Sequence, residues 1–169
     1  MRPLPFNPLV VPSLLTLPTV TVEPRAELIL LLRLVVAGLL AAVLGWERQS
    51  AHKPAGLRTH MLVGLASALF TVLAELATSE HPASDPSMRS DPIRVIQAVA
   101  VGIGFLGSGV IFVSRSGDTV LGLTTAASIW ATAAVGIAAG LQHYILAVGA
   151  TLLMLVVLRG MERFERDHD

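Results

Sequence analysis

Composition places this 169-residue chain in the membrane, since 53% of its residues are hydrophobic, 14% are charged and its mean hydropathy is +0.70. Soluble domains carry about 25% charged residues. The formal net charge of zero offers no basic face, so no nucleic-acid partner is expected. The chain lacks cysteine, which excludes disulfide frameworks, thiolate metal sites and cysteine nucleophiles.

Five apolar segments in chain order are long enough to cross about 30 Å of hydrocarbon. They cover approximately residues 28–46, 57–77, 93–113, 121–139 and 141–158. The sequence therefore predicts an all-α integral membrane protein, a bundle of about five transmembrane helices within the lipid bilayer. Residues 1–27 contain six prolines and are expected to form an extended extracytoplasmic tail, residues 28–158 the transmembrane domain, and residues 159–169 a short cytoplasmic tail.

The distribution of basic residues predicts the orientation of the bundle. Seven arginines and lysines follow the first, third and fifth segments, whereas four lie on the opposite side. The N-terminus is therefore predicted outside and the C-terminus in the cytoplasm.

Small or polar residues recur at three- and four-residue spacing in each of the first four segments, which predicts contact with protein and not with lipid. Four such faces are expected to converge on a partly polar interior. The intramembrane polar residues singled out are Arg33, Glu75, Gln97, Ser108, Thr125 and Ser128. Because Arg33 and Glu75 lie at similar depths on these faces of neighbouring segments, we expect them to form an ion pair near the outer side. The alternative is that the long side chain of Arg33 snorkels to the outer surface.

A glycine-rich run in the third segment predicts close helix packing, because glycines allow a neighbouring backbone to approach. We call Gly102, Gly104, Gly107 and Gly109 the glycine seam. The seam is expected to hold the bundle together and to support a homo-oligomer.

The reactive side chains point to no specific catalytic, cofactor or metal site. Ser108 with His60 or His143 leaves an intramembrane serine protease as a remote alternative. The carboxylates of Glu47, Glu75, Asp91 and Asp118 could hold magnesium, but they are scattered over both faces of the membrane and lack the paired spacing of a magnesium site.

The turn between the first two segments concentrates charges of both signs. It predicts either an anchor at the cytoplasmic surface or a docking surface for a partner. Its residues are Glu47, Arg48, Pro54, Gly56, Arg58, Thr59 and His60.

Four sequence blocks, in this order, resemble the MgtC/SapB family. They are GWERQ at 45–49, PAGLRTHMLV at 54–63, GIGFLGSGVI at 102–111 and GLTTAASIW at 122–130. The resemblance covers about residues 30–158 and implies a bacterial inner-membrane protein linked to growth under magnesium limitation. Many relatives carry a soluble C-terminal domain, which this chain is expected to lack because it ends at Asp169.

The resemblance also implies how such a protein acts. It implies a non-enzymatic regulator of magnesium and ion homeostasis, linked to virulence in pathogenic relatives, that works through membrane partners such as the ATP synthase. The alternative is a small channel or transporter for magnesium or another solute, with the converging polar faces lining its path.

Overall fold

The computed structural model describes residues 23–79, 92–113 and 119–166. Five helices account for most of them: α1 is Pro24–Ser50, α2 Leu57–Ser79, α3 Pro92–Ser108, α4 Leu123–Gly140 and α5 Tyr144–Arg166. A short antiparallel hairpin joins α3 to α4, with β1 at Phe112–Val113 opposite β2 at Val120–Leu121. The predicted all-α membrane bundle is confirmed.

The helices differ in how far they can cross a membrane. Three described helices, α1, α2 and α4, have the length and apolar composition of membrane spans. The apolar parts of the other two are shorter, Ile93–Ser108 in α3 and Tyr144–Gly160 in α5. At 1.5 Å per residue, these parts reach only about 25 Å.

The predicted boundaries between the third and fourth segments are wrong. The third segment was expected to reach residue 113, but α3 ends at Ser108. The N–H of Val110 donates to the carbonyl of Gly107 at 3.1 Å, a tighter turn than an α-helix allows. Gly122 has φ of +88° directly before α4, where a Cβ would overlap the carbonyl of Val110.

The two chain ends also differ from the expected ranges. α1 begins at Pro24, within the predicted tail, because proline at the first helical position gives up an N–H that has no helical partner there. α5 continues to Arg166 and so includes most of the predicted cytoplasmic tail. Residues 1–22 and the polar loop at 80–91 lie outside the described part of the chain.

The centre of the bundle consists of α1, α2 and α4, and α4 contacts each of the other four helices. Single glycines bring these three backbones together. A Cβ on Gly64 of α2 would lie 2.5 Å from the Cβ of Ala41 on α1. A Cβ on Gly136 of α4 would overlap the carbonyl oxygen of Gly64. Both contacts fit the small-residue packing that membrane helices use in place of hydrophobic burial.

The predicted glycine seam of α3 does not make such contacts. A Cβ on Gly102 or Gly104 would meet nothing within 4 Å, and one on Gly109 would meet only the carbonyl of Leu106 in its own helix. Gly107 alone faces another helix, at 3.5 Å from the Cβ of Ala126 on α4. The prediction that the seam packs within the bundle is therefore wrong for three of the four glycines.

The orientation of α3 explains this result. Its bulky Val99 and Ile103 pack against the buried cluster around Ile129, and that rotation directs Gly104 and Gln97 outward. The polar faces of α1, α2 and α4 converge as expected, but the face of α3 that carries Gln97 does not join them.

Candidate functional site

Two groups of polar side chains are built into opposite ends of the central three helices. The Arg33 cluster consists of Arg33, Glu75, the Gly140 carbonyl and Gln142. The His60 cluster consists of Glu47, Arg48, the Gly56 carbonyl, His60, Thr125 and Ser128. The buried face of α1 contributes an arginine to each end, and these arginines lie about 22 Å apart along the helix axis.

Arg33 joins three elements at its end of the bundle. Its Nη1 donates to Glu75 Oε2 at 2.5 Å and to the carbonyl of Gly140 at 3.3 Å. The predicted ion pair is therefore present. Only 7% of the Arg33 side chain is exposed, against 49% of Glu75, so the carboxylate keeps much of its hydration. The guanidinium also lies at the C-terminus of α4, where the helix dipole favours a cation.

Gln142 completes this cluster from the turn between α4 and α5. With its amide oriented by the hydrogen-bond network, its Oε1 accepts from Arg33 Nη2. Gln142 has φ of 65°, and the N–H of His143 donates to the carbonyl of Ala138 at 2.9 Å. These are the marks of a Schellman motif, in which glycine is usual at the position of Gln142. The bond to Arg33 offsets the backbone strain that a side chain adds there.

Sequence reasoning missed Gly140 and Gln142, although it identified Arg33 and Glu75. Alternating helix directions place the end of α4 beside the first half of α1. A polar residue at the start of the fifth predicted segment was therefore the available signal. The αL conformation of Gln142, which directs its amide toward Arg33, could not be predicted from the residue type.

The Glu47–Arg48 pair lies at the other end of α1. Arg48 Nε donates to Glu47 Oε2 at 2.6 Å, and Nη2 donates to Oε1 at 2.9 Å. Both side chains are almost fully buried, at 4% and 1% exposure. Two parallel charge-assisted bonds keep this pair neutral as a unit inside the protein.

His60 links the helices at this end, and no part of it is exposed. Its Nδ1 lies 2.9 Å from the carbonyl oxygen of Gly56, and its Nε2 lies 3.1 Å from Ser128 Oγ on α4. Ser128 Oγ is also 2.8 Å from the carbonyl of Thr125. The close approach of α1 supports the ring, because a Cβ on Gly45 would lie 2.9 Å from the Cβ of His60.

This contact suits proton binding better than nucleophilic catalysis. Ser128, and not the predicted Ser108, faces the histidine; Ser108 is exposed and donates to Phe105 within α3. The backbone N–H groups around Ser128 are engaged in the hydrogen bonds of α4, so they cannot stabilise an oxyanion. The geometry allows a proton to be held between Nε2 and Oγ.

Among the remaining residues of the predicted turn, Gly56 contributes only its backbone carbonyl to the His60 cluster. Pro54 and Arg58 are exposed, whereas Gly56 and Thr59 are partly buried. Gln49 was missed: its Oε1 accepts from the N–H of Leu57 at 3.3 Å and so helps to satisfy the start of α2. Among residues 23–79, 92–113 and 119–166, no group of three or more His, Asp or Glu has the arrangement of a metal site.

Comparison with known proteins gives one family. Residues 34–167 match the model of the MgtC family. The chain is 39% identical over 128 residues to the putative magnesium transporter YhiD of Escherichia coli, covering 76% of this chain and 58% of that protein. It is 41% identical over 140 residues to protein SrpB of Synechococcus elongatus, covering 79% and 75%. It is 39% identical over 139 residues to protein MgtC of Brucella abortus, covering 77% and 54%.

The extent of these matches limits what they say about function. The chain spans little more than half the length of the Escherichia coli and Brucella proteins. None of the solved structures gave a significant match.

Proposed function

Because this chain belongs to the MgtC family, we propose that it is a non-enzymatic regulator in magnesium homeostasis that acts on other membrane proteins. Two relatives support the link to magnesium through their names, putative magnesium transporter and protein MgtC. The bacterial inner membrane is the location that this role requires.

One observation carries the choice of a regulator over a conduit: the middle of the bundle is closed. α2 and α4 meet backbone to backbone at Gly64 and Gly136. The polar groups on either side of this contact bind each other, Arg33 to Glu75 and His60 to Ser128. A path for a hydrated ion needs polar groups that face water, whereas these groups are used to join helices.

The surfaces that remain open lie on the outside of the bundle. A groove of about 760 Å³ runs between α2 and α3, lined by Phe70, Val99 and Gly102 among other apolar residues. Together with the open Gly104, it offers a second membrane helix a place to pack. The expectation that two copies of the chain associate through α3 stays a prediction, tested below.

Flux measurements on the purified protein distinguish regulator from conduit. Liposomes that contain the protein and a magnesium-sensitive dye should take up magnesium no faster than protein-free liposomes with the same dye. An added ionophore should admit magnesium to both. A strain that lacks the gene should grow poorly in low magnesium and recover when the gene is returned. Magnesium uptake that rises with the amount of protein would overturn the regulatory proposal.

Transport is the second candidate, and the name of the Escherichia coli relative favours it. In that case Gly64 and Gly136 must separate during transport. A disulfide between cysteines placed at Ala68 and Ala139, both fully buried at this helix contact, should then abolish the flux. Flux that survives the crosslink would point away from a path between α2 and α4.

Orientation is part of the proposal, with the turn between α1 and α2 in the cytoplasm. His52 lies exposed in that turn, and His143 lies exposed in the turn at the opposite end of the bundle. Since the native chain lacks cysteine, His143→Cys should react with an impermeant thiol reagent in intact cells, and His52→Cys should react only after lysis. The opposite pattern would invert the orientation.

A further inference from the structure

Around His60 and Ser128 there are three hydrogen-bond contacts, but a neutral histidine ring and one serine hydroxyl supply only two protons for them. Three oxygens make these contacts: the Gly56 carbonyl 2.9 Å from Nδ1, Ser128 Oγ 3.1 Å from Nε2, and the Thr125 carbonyl 2.8 Å from Ser128 Oγ. The contact is buried, since His60 has no exposed surface and Ser128 is 6% exposed. Each of these distances therefore has to be explained by a proton within the protein.

Counting protons separates the two states of the ring. A carbonyl oxygen only accepts, so Nδ1 carries a proton in both states. When the ring is neutral, Nε2 is an acceptor, and the single hydroxyl proton of Ser128 turns to it. The contact with the Thr125 carbonyl then has no proton. When the ring is charged, Nε2–H donates to Ser128, whose hydroxyl donates to Thr125, and all three contacts are hydrogen bonds.

The charges around the ring do not favour its protonated state. α1 brings Glu47 and Arg48 to this end, but their paired charges cancel. His52 and Lys53 lie in the adjoining turn, and Arg58 is exposed on α2 itself. α4 contains no titratable residue. The carboxylate that acts on the ring is Glu47, which is already paired with Arg48, and a buried charge without an unpaired partner is disfavoured.

We propose that His60 and Ser128 form a buried proton-binding site that joins α2 to α4. A proton from the solvent binds Nε2, and the hydroxyl proton of Ser128 turns from the ring to the carbonyl of Thr125. The hydrogen bonds favour the charged ring and its surroundings favour the neutral one, so neither state dominates at every pH. This site goes beyond the role in magnesium homeostasis, because it makes the bundle itself respond to pH.

Proton uptake changes the contact between two central helices. A charge-assisted N–H···O bond is about twice as strong as a neutral one, so uptake tightens the contact between α2 and α4 at this end. Thr125 lies in the first turn of α4 and lines a cavity of about 660 Å³ with Arg48 and Lys53. The protonation state of His60 is thereby linked to the wall of this cavity.

Nuclear magnetic resonance of protein with ¹⁵N-labelled histidine measures the ring directly. The chain has five histidines, and the resonances lost in His60→Gln identify those of His60. We expect Nδ1 to carry a proton throughout and Nε2 to gain one as the pH is lowered over the range in which the protein stays folded. A ring that keeps one protonation state over this whole range would overturn the proposal.

Two serine variants test whether Ser128 is part of the site. Ser128→Ala should move the midpoint of the His60 titration by about half a pH unit or more, because the bond to Nε2 is lost. Ser108→Ala is the matched control, since its hydroxyl also donates to the carbonyl three residues earlier but on the exposed side of α3. Equal effects of the two variants, or none from Ser128→Ala, would also reject the site.

Thermal unfolding gives a second readout that does not require assigned resonances. The melting temperature of the native protein should depend on pH across the His60 titration, and His60→Gln should lose that part of the dependence. His143→Gln, in an exposed turn, should retain it. Loss in both variants, or in neither, would contradict a proton site at His60. Every readout is a property of the purified protein, so a negative result leaves the role in magnesium homeostasis untouched.

Discussion

Glycine has opposite roles in the central helices and in α3. Gly64 and Gly136 lie outside any dense glycine run, yet their backbones meet at the centre of the bundle. α3 carries the densest glycine run, but Gly102 and Gly104 face open space. The difference lies in what surrounds each glycine. Those of α2 and α4 share a face with serine and threonine, whereas bulky Val99 and Ile103 control which face of α3 turns inward.

Substituting one glycine in each region gives the largest expected effect. Gly136→Ala should lower the free energy of unfolding by about 2–4 kcal/mol, because its Cβ overlaps the backbone of α2, which cannot move aside cheaply. Gly104→Ala, the matched control, should change it by less than about 1 kcal/mol and stabilise if anything. Chemical unfolding in detergent measures both. Equal losses would show that α3 packs as tightly as the centre.

Removing Arg33 comes next, because it breaks the contacts of one buried side chain to three elements. Arg33→Ala should cost about 3 kcal/mol, and Glu75→Ala about 1 kcal/mol, since the carboxylate is half exposed and Arg33 retains Gly140 and Gln142. Arg58→Ala, an exposed arginine on α2, is the control and should stay within about 0.5 kcal/mol.

Exchanging the two charges sharpens that result. The sequence alone suggests that Arg33→Glu with Glu75→Arg recovers part of the loss. The structure predicts poor recovery, because a glutamate at position 33 would face the carbonyl of Gly140, which is another acceptor. The melting temperature of the exchange variant distinguishes these two expectations. Recovery to near the native melting temperature would mean that the contact with Gly140 contributes little.

Two turn residues in the αL conformation should respond differently to glycine. His52 has φ of 54° and Gln142 has φ of 65°, each after the last turn of a helix. His52→Gly should stabilise by about 1 kcal/mol by relieving backbone strain. Gln142→Gly should be near neutral, because the same relief is offset by the lost bond to Arg33. Equal stabilisation of both would show that the amide of Gln142 does not hold Arg33.

The smallest effect on stability is expected at the open face of α3, where association is the informative readout. Gly104→Leu should leave the unfolding of the single chain nearly unchanged but should weaken crosslinking between copies if the glycine seam joins them. Gly149→Leu on α5 is the matched control, since that glycine also has open space around it. Unchanged crosslinking in Gly104→Leu would remove α3 from the interface between copies.

Much of the fold could be predicted because membrane insertion depends on local properties. Hydropathy and length identify all five described helices, although α3 ends before and α5 ends after the predicted boundary. The small and polar faces of α1, α2 and α4 point inward as expected. The Arg33–Glu75 pair could be predicted because both its depth and its face follow from counting residues along straight helices. The boundaries beside Gly109 and Gly122 could not, because the apolar residues 110–113 predict a helix until the pairing of Phe112–Val113 with β2 is known.

The tertiary structure alone decided which small and polar residues meet. Helix rotation directs Gly104 and Gln97 outward, and it depends on how the bulky residues of α3 fit against α4. His60 and Ser128 are 68 positions apart, and the positive φ of Gln142 aims a turn residue into the bundle. The sequence by itself determined that polar groups must be buried in pairs, because lipid cannot solvate them. Which pairs form depends on helix rotation and relative depth, and these are properties of the packed bundle.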